Sequence, residues 1–466
     1  MSETPTKTNT KKTGTEEIIV RDSEGFVTTH VAAERAVLAQ LILDAPSISS
    51  QAVMTNSDES SLDELAGLCE AAGAVVVGRI SQKRARPEGA TLFGKGKVEE
   101  IHQLCELQNA NVLIVDCDLT PAQGRNLESA LGLRVIDRTE LILDIFARRA
   151  QTRQAKLQVE LAQLRYQLPR LKRMWTHLDS QAGGGIGLRG PGETQLETDR
   201  RLAGTRIALL ENQLGEIRRQ KLTESAGRLD FETAALVGYT NVGKSALLNA
   251  LSRPTGKGVL VADQLFATLG AFTRKMELGG GRAVLLSDTV GFVRRLPHNL
   301  VECFHSTLAE VESADFLLRV ADAADAELDD KMQAVDSVLK ELNVAETPNI
   351  LVLNQCDRLT GETRAALSHR HPDAVFTSAL TGEGLDELRA RIRQTLENTD
   401  EEIHWMLDAA DSNTGKLLAD IARHGRVLNE EWREGENGTQ LHLRAMISQR
   451  WREKIERTQV TTDKHG

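Results

Sequence analysis

"AALVGYTNVGKSALLNALS", residues 234–252, decides the fold of this chain. It reads as an apolar strand, a G-x4-G-K-S loop and an amphipathic helix. Gly238 and Gly243 let the backbone turn its N–H groups inward around phosphates, and the helix N-terminus adds a partial positive charge. Tyr239, Thr240, Asn241 and Val242 complete the cradle through their main chain. Lys244 reaches the β- and γ-phosphates, and Ser245 offers a hydroxyl to Mg2+. A glycine loop can arise by chance, but the strand before it and the helix after it argue for a P-loop on an α/β sheet.

The loop alone names neither nucleotide nor reaction, so the downstream segments decide. "AVLLSDTVG" (283–291) is a buried-strand pattern ending in D-x-x-G. Asp288 would hold Mg2+ through water, Thr289 and Val290 follow, and the Gly291 N–H would sense the γ-phosphate. "NILVLNQCD" (349–357) ends in N-x-x-D, with Asn354, Gln355, Cys356 and Asp357. A carboxylate at Asp357 accepts both N1–H and the exocyclic amine of guanine, a donor pair that adenine lacks, so it selects GTP. "VFTSALTGEGLDEL" (375–388) supplies Ser378, Ala379 and Leu380, a turn whose backbone can contact guanine O6. These signals, in this order at the ends of strands, exclude kinase and AAA readings. "DQLFATLGAFTR" (263–274) is the place for switch I, with Phe266, Ala267, Thr268, Leu269 and Gly270 near the nucleotide and Thr268 as a further Mg2+ hydroxyl. The expected catalytic contributors are Lys244, Thr268 and Gly291.

After Gly291 comes Phe292, where Ras-type enzymes place a water-orienting glutamine. Phenylalanine cannot orient water, so hydrolysis is expected to be slow or completed by another element. Asn241 stands at the position that potassium-dependent GTPases use to bind K+, so K+ is expected beside Mg2+ as a cofactor.

Upstream, residues 31–137 alternate helix and strand patterns. "SLDELAGLCEAAG" (61–73), "KVEEIHQLCELQ" (97–108) and "TPAQGRNLESAL" (120–131) predict helices; "AVVVG" (74–78), "NVLIVD" (111–116) and "LRVID" (133–137) predict strands. The alternation predicts an N-terminal α/β domain with a parallel sheet. Then Leu157, Leu161, Leu164, Leu168 and Leu171 form one apolar helical seam, and Ala203, Ile207, Leu210, Leu214 and Ile217 a second. Two such seams predict a long antiparallel helical hairpin over 138–225, each seam covering the other. "GGGIGLRGPGETQLETDRR" (183–201) becomes its glycine-rich tip. Residues 231–397 form the P-loop domain, 401–458 a small α+β C-terminal domain, and 1–30 a disordered tail.

The net charge of −10 argues against nucleic acid, but it hides an asymmetry. Arg138 to Leu222 holds 16 Lys/Arg against 9 Asp/Glu, which makes this stretch +7 and the remainder −17. Such a basic block suits either a polyanion contact or a solvated, ion-paired helical surface. The five cysteines show no CxxC spacing, which argues against zinc or disulfides and for a reducing, cytoplasmic compartment. The N-terminus lacks an apolar h-region, and no run of about 18 apolar residues spans a membrane.

The chain resembles HflX-type GTPases, ribosome-associated proteins of the translation-factor-like class related to the Obg and TrmE groups. The resemblance rests on "FGKGKVEEI" (93–101), "VIDRTELILDIFARRAQTRQAKLQVELAQLRYQLPRL" (135–171), "GGIGLRGPGETQLETDRR" (184–201), "GYTNVGKSALLNAL" (238–251) and "DTVGFVRRLPHNLVECFHSTLAE" (288–310). It implies a monomer that binds GTP and GDP, docks on the large (50S) ribosomal subunit and splits stalled ribosomes under stress. The glycine-rich tip would reach 23S rRNA near the peptidyl-transferase centre, with arginines on phosphates. The chain departs from the family at Gln355 (for lysine), at Gly270, Ala271 and Phe272 in switch I, and at Arg319 (for histidine). These changes all lie in the nucleotide domain and point to weakened hydrolysis or switch coupling. The alternative reading is a nucleotide-regulated rRNA-binding assembly chaperone with little turnover.

Overall fold

The computed structural model describes residues 17–21, 27–31, 33–43, 58–171, 191–226, 231–252, 272–279, 282–294, 310–398, 400–408, 414–435, 438–448 and 451–452. The chain divides into two compact units, and among the described residues the division falls between Leu214 and Gly215.

In the first unit, β1 (Glu17–Arg21) pairs antiparallel with β2 (Val27–Val31). These two strands fall within the stretch 1–30 expected to be a disordered tail, whose residues 1–16 and 22–26 lie outside the described residues; both segments carry β-branched side chains, which suit a strand despite their polar flanks. Next come β3 (Arg35–Leu43), α1 (Asp58–Ala71), β4 (Val75–Arg84), α2 (Lys95–Leu107), β5 (Val112–Val115), α3 (Pro121–Leu131) and β6 (Arg134–Asp137). The strands form a parallel sheet in the order β4-β3-β5-β6. Thr120 and Gln123 close a capping box on α3, Pro121 opens its first turn, and Gly132 ends it in the left-handed region (φ 67°). Val37, Ala39, Leu113 and Val115 from the sheet pack against Ile101, Cys105 and Leu127 from the helices. Burial in such cores pushes the Cys69 thiol up to about 12 and Cys105 to about 11, so both are inert packing groups.

Helices α4 (Arg138–Arg149), α5 (Arg153–Leu171) and α6 (Pro191–Ala226) follow. On α6 the expected seam is the most covered face: Leu210 is buried and Ala203, Ile207, Leu214 and Ile217 half-buried, while Leu202 and Leu209 are exposed. On α5 the buried face is broader than one leucine seam, with Ala155, Gln158, Val159, Leu161 and Ala162 all covered. Ion pairs Arg206–Glu160 and Arg165–Glu211, both at 2.7 Å, join α5 to α6. Residues 172–190, which would close the hairpin and include the first part of the tip, lie outside the described residues, so its antiparallel sense remains an expectation; the rest of the expected tip, 191–201, is the start of α6. Part of the basic block is neutralised internally. Arg138 is buried on Asp116 and Glu64, and Arg170 bonds Asp137. Arg148, Arg153, Arg200 and Arg201 are exposed.

The second unit holds a six-stranded sheet. Its elements are β7 (Glu232–Gly238), α7 (Lys244–Leu251), β8 (Phe272–Gly279), β9 (Arg282–Asp288), β10 (Phe316–Asp322), α8 (Leu328–Glu341), β11 (Asn349–Asn354), α9 (Gly361–Arg370), β12 (Val375–Phe376) and α10 (Leu385–Asn398). The order is β12-β11-β10-β7-β9-β8, parallel except for the β8 edge. This is the P-loop α/β architecture expected. A three-stranded antiparallel sheet follows, with β13 (Asp400–Asp408), α11 (Thr414–His424), β14 (Gly425–Gly435) and β15 (Gly438–Ser448) in the order β13-β15-β14. Arg282, at the start of β9, is held by Glu232 at 2.7 Å and by both oxygens of Asp400 at 3.0 Å. That buried triad ties β7 and β9 to the first residue of β13. Among the described residues, no helix is long and apolar enough to cross a membrane.

Candidate nucleotide site

The motif residues gather at the C-terminal ends of β7, β9 and β11. The loop after β7 passes through Asn241 (φ 62°) and Gly243 (φ 87°), left-handed conformations that curl the chain. A Cβ on Gly238 would strike the Val320 carbonyl, and one on Gly243 the Asn354 side chain. Gly243 supplies no side-chain cap to α7, which leaves the helix's first-turn amides available to an anion.

Lys244 is buried and folds back, donating to the carbonyls of Gly238 at 3.0 Å and Tyr239 at 2.7 Å. Burial pushes its pKa down to about 8, with Asp288 pulling the other way. Asp288 is wholly buried and accepts from the Ser245 hydroxyl. An all-oxygen pair of this kind fits Mg2+. Ser245 and Asp288 would hold the ion, and its charge would stabilise the phosphate oxygens. Thr289 donates to the Leu236 carbonyl at 2.6 Å, which anchors the D-x-x-G segment beside β7.

Asn354 is a hub. Its Nδ2 donates to the Val242 carbonyl at 2.9 Å, and its Oδ1 accepts from Thr377 Oγ1 and the Ala379 amide, each at 3.2 Å. One amide therefore joins P-loop, N-x-x-D strand and Ser-Ala turn. The Ala379 N–H expected near guanine O6 is in this structure bonded to Asn354. Gln355 (φ 62°) reaches the Asn241 carbonyl at 3.4 Å and accepts from Arg358 at 2.6 Å, so it spans the loop despite replacing lysine. Cys356 is buried, Asp357 presents an exposed carboxylate, Ser378 is buried, and Leu380 is exposed. Arg319 is ion-paired with Asp336 on α8, which accommodates that departure locally.

Phe292 has a role the motif reading missed. It is buried and bridges to Tyr239, exchanging main-chain bonds with Gly238 and Thr240. It extends the sheet, so its ring is spent on packing. Phe266, Ala267, Thr268, Leu269 and Gly270 lie outside the described residues. Among the described residues no cluster of three or more His, Cys, Asp or Glu could hold a metal.

Residues 59–147 match the family model "GTP-binding GTPase N-terminal", 149–228 "GTP-binding GTPase Middle Region", and 233–355 "50S ribosome-binding GTPase". The chain is 42% identical over 424 residues to GTPase HflX of Caldanaerobacter subterraneus subsp. tengcongensis, covering 91% of this chain and 94% of the relative. It is 44% identical to GTPase HflX of Magnetococcus marinus (89% and 93% covered) and 41% to that of Escherichia coli (84% and 91%). Among solved structures, the SsGBP–GDP complex is similar at 26% identity and TM-score 0.42, covering 78% of this chain and 98% of that one. On these sequence matches, which run over most of its length, the chain belongs to the HflX GTPase family.

Proposed function

We propose that this GTPase docks on the large ribosomal subunit in a nucleotide-dependent manner and splits or rescues stalled ribosomes under stress. The observation that carries the reading is the match of residues 233–355 to the "50S ribosome-binding GTPase" model. The exposed arginines Arg148, Arg153, Arg200 and Arg201 support it, since they are available to phosphates. The glycine-rich tip, 183–192, is assigned the contact with 23S rRNA near the peptidyl-transferase centre. In the site, Lys244 and the P-loop amides grip the phosphates, Ser245, Thr268 and Asp288 hold Mg2+, Gly291 senses the γ-phosphate, and Asp357 selects guanine. Asn241 is assigned to K+. The protein works as a monomer.

Sucrose-gradient co-sedimentation with 50S subunits tests the proposal. More protein should pellet with a GTP analogue than with GDP or no nucleotide. Pelleting that ignores the nucleotide would overturn the regulated docking. Deleting 183–192 should leave intrinsic GTP hydrolysis intact and abolish splitting; splitting that survives the deletion refutes the tip assignment.

A further inference from the structure

Tyr239 lends the P-loop more than its main chain. Its ring is buried beneath the Lys331 ammonium, 5.4 Å from the ring centroid. Its hydroxyl accepts the Arg294 main-chain N–H at 2.6 Å. Arg294 lies three residues beyond Gly291, on the segment that leads away from the D-x-x-G motif.

That segment is pinned on both sides of Gly291. Before it, Asp288 accepts from Ser245, and Thr289 donates to the Leu236 carbonyl. After it, the Phe292 N–H donates to the Gly238 carbonyl at 3.1 Å, the Thr240 N–H donates to the Phe292 carbonyl at 2.8 Å, and Tyr239 takes the Arg294 amide. The register between these anchors is uneven. Leu236 pairs with Asp288 and Tyr239 with Phe292, so three steps on one strand face four on the other. The extra residue makes a bulge, and bulges re-aim the backbone. Gly291 is thereby pressed onto the P-loop: a Cβ there would lie 2.8 Å from Thr240 Cα and 3.0 Å from Lys244 Nζ. Only glycine fits beside the ammonium.

We propose that Tyr239 is a positioning residue for the GTPase reaction: its hydroxyl, through the Arg294 amide, keeps the Gly291 backbone aligned beside Lys244, where it distinguishes a triphosphate from a diphosphate. A donor fixed in advance costs no reorganisation when the γ-phosphate arrives. Releasing the segment at Arg294 leaves the upstream anchors and the Phe292 main-chain bonds intact and frees only the stretch beyond them, so the loss is partial, falls on the γ-phosphate and spares the rest of the nucleotide. The proposal rests on the assignment of Lys244 and Gly291 to the phosphates.

Tyr239→Phe removes the hydroxyl and keeps the ring under Lys331. Affinities for GDP and for a non-hydrolysable GTP analogue should be measured alongside single-turnover hydrolysis. The analogue-to-GDP affinity ratio should fall about fivefold, the scale of one lost hydrogen bond, while GDP affinity moves less than about twofold. The hydrolysis rate should fall with the ratio. Arg294→Pro deletes the same hydrogen bond from the donor side together with the Arg294–Glu327 ion pair, so it should lose at least as much, and adding Tyr239→Phe to it should cost nothing further. A general loosening of the fold would weaken both nucleotides alike. An unchanged ratio, or an equal loss for GDP and analogue, overturns the positioning role. Failure of the unaltered protein to bind GDP would instead remove the site assignment beneath it.

Discussion

Nucleotide binding to this GTPase should take up protons near pH 8, and Lys244 is the reason. Its ammonium is buried, and burial pushes its pKa from 10.5 down to about 8 against the opposing pull of Asp288. The Gly238 and Tyr239 carbonyls accept its protons, but they carry only partial charge. Phosphates bring full negative charge and favour the ammonium in the complex. Near pH 8 roughly half of the free protein lacks this proton, so binding restores about half a proton per nucleotide. Above that pH, affinity should fall by up to about tenfold per unit, or ~1.4 kcal/mol. Calorimetric titration with GDP at pH 8, in two buffers of different ionisation enthalpy, yields the proton count directly. Tight binding with no buffer dependence would refute the reasoning. Stability runs the other way. The folded pKa lies below the unfolded value, so from about 8 to 10.5 the unfolded chain binds the extra proton. The nucleotide-free protein therefore gains stability as pH rises through that window, by about 3 kcal/mol in all.

Three further predictions use the same geometry. Asn354→Ala strands the Val242 carbonyl, the Thr377 hydroxyl and the Ala379 amide, and should cost on the order of 3 kcal/mol in nucleotide affinity and stability together, read by fluorescence titration and denaturant melts; a loss confined to stability would contradict its role as a hub of the site. Arg282→Ala leaves Glu232 and Asp400 buried without their cation, and should destabilise the protein by about 3–5 kcal/mol in urea unfolding. A loss under 1 kcal/mol would show that the triad does not clamp β13 to the nucleotide sheet. GTP turnover should be faster in K+ than in Na+ at equal ionic strength; equal rates would dispose of the Asn241 assignment.

Much of the fold was legible in local pattern. The capping Thr120, the N1 Pro121 and the apolar runs at 111–116 and 133–137 mark elements because caps and periodicity act over a few residues. The P-loop was legible because backbone curled around phosphates tolerates few side chains, as the crowding at Gly238 and Gly243 shows. Pattern was weaker where composition and local propensity disagreed, as in the β1–β2 ladder. It was silent on what Phe292 does instead of orienting water, because the packing of its side chain in the sheet depends on a strand far away in sequence.

By itself, the sequence determined the nucleotide, the α/β class and the order of motifs along the chain, since each rests on residues close in sequence or on a single side chain's donors and acceptors. Only the tertiary structure decided how those motifs meet. Asn354 spans 112 residues to reach Val242, Arg282 spans 118 to reach Asp400, and Tyr239 spans 55 to reach Arg294. No periodicity encodes such pairings. They depend on strand order and on the register shift that presses Gly291 onto the P-loop, and both are settled when burial of the apolar sheet faces selects one packing of the whole chain.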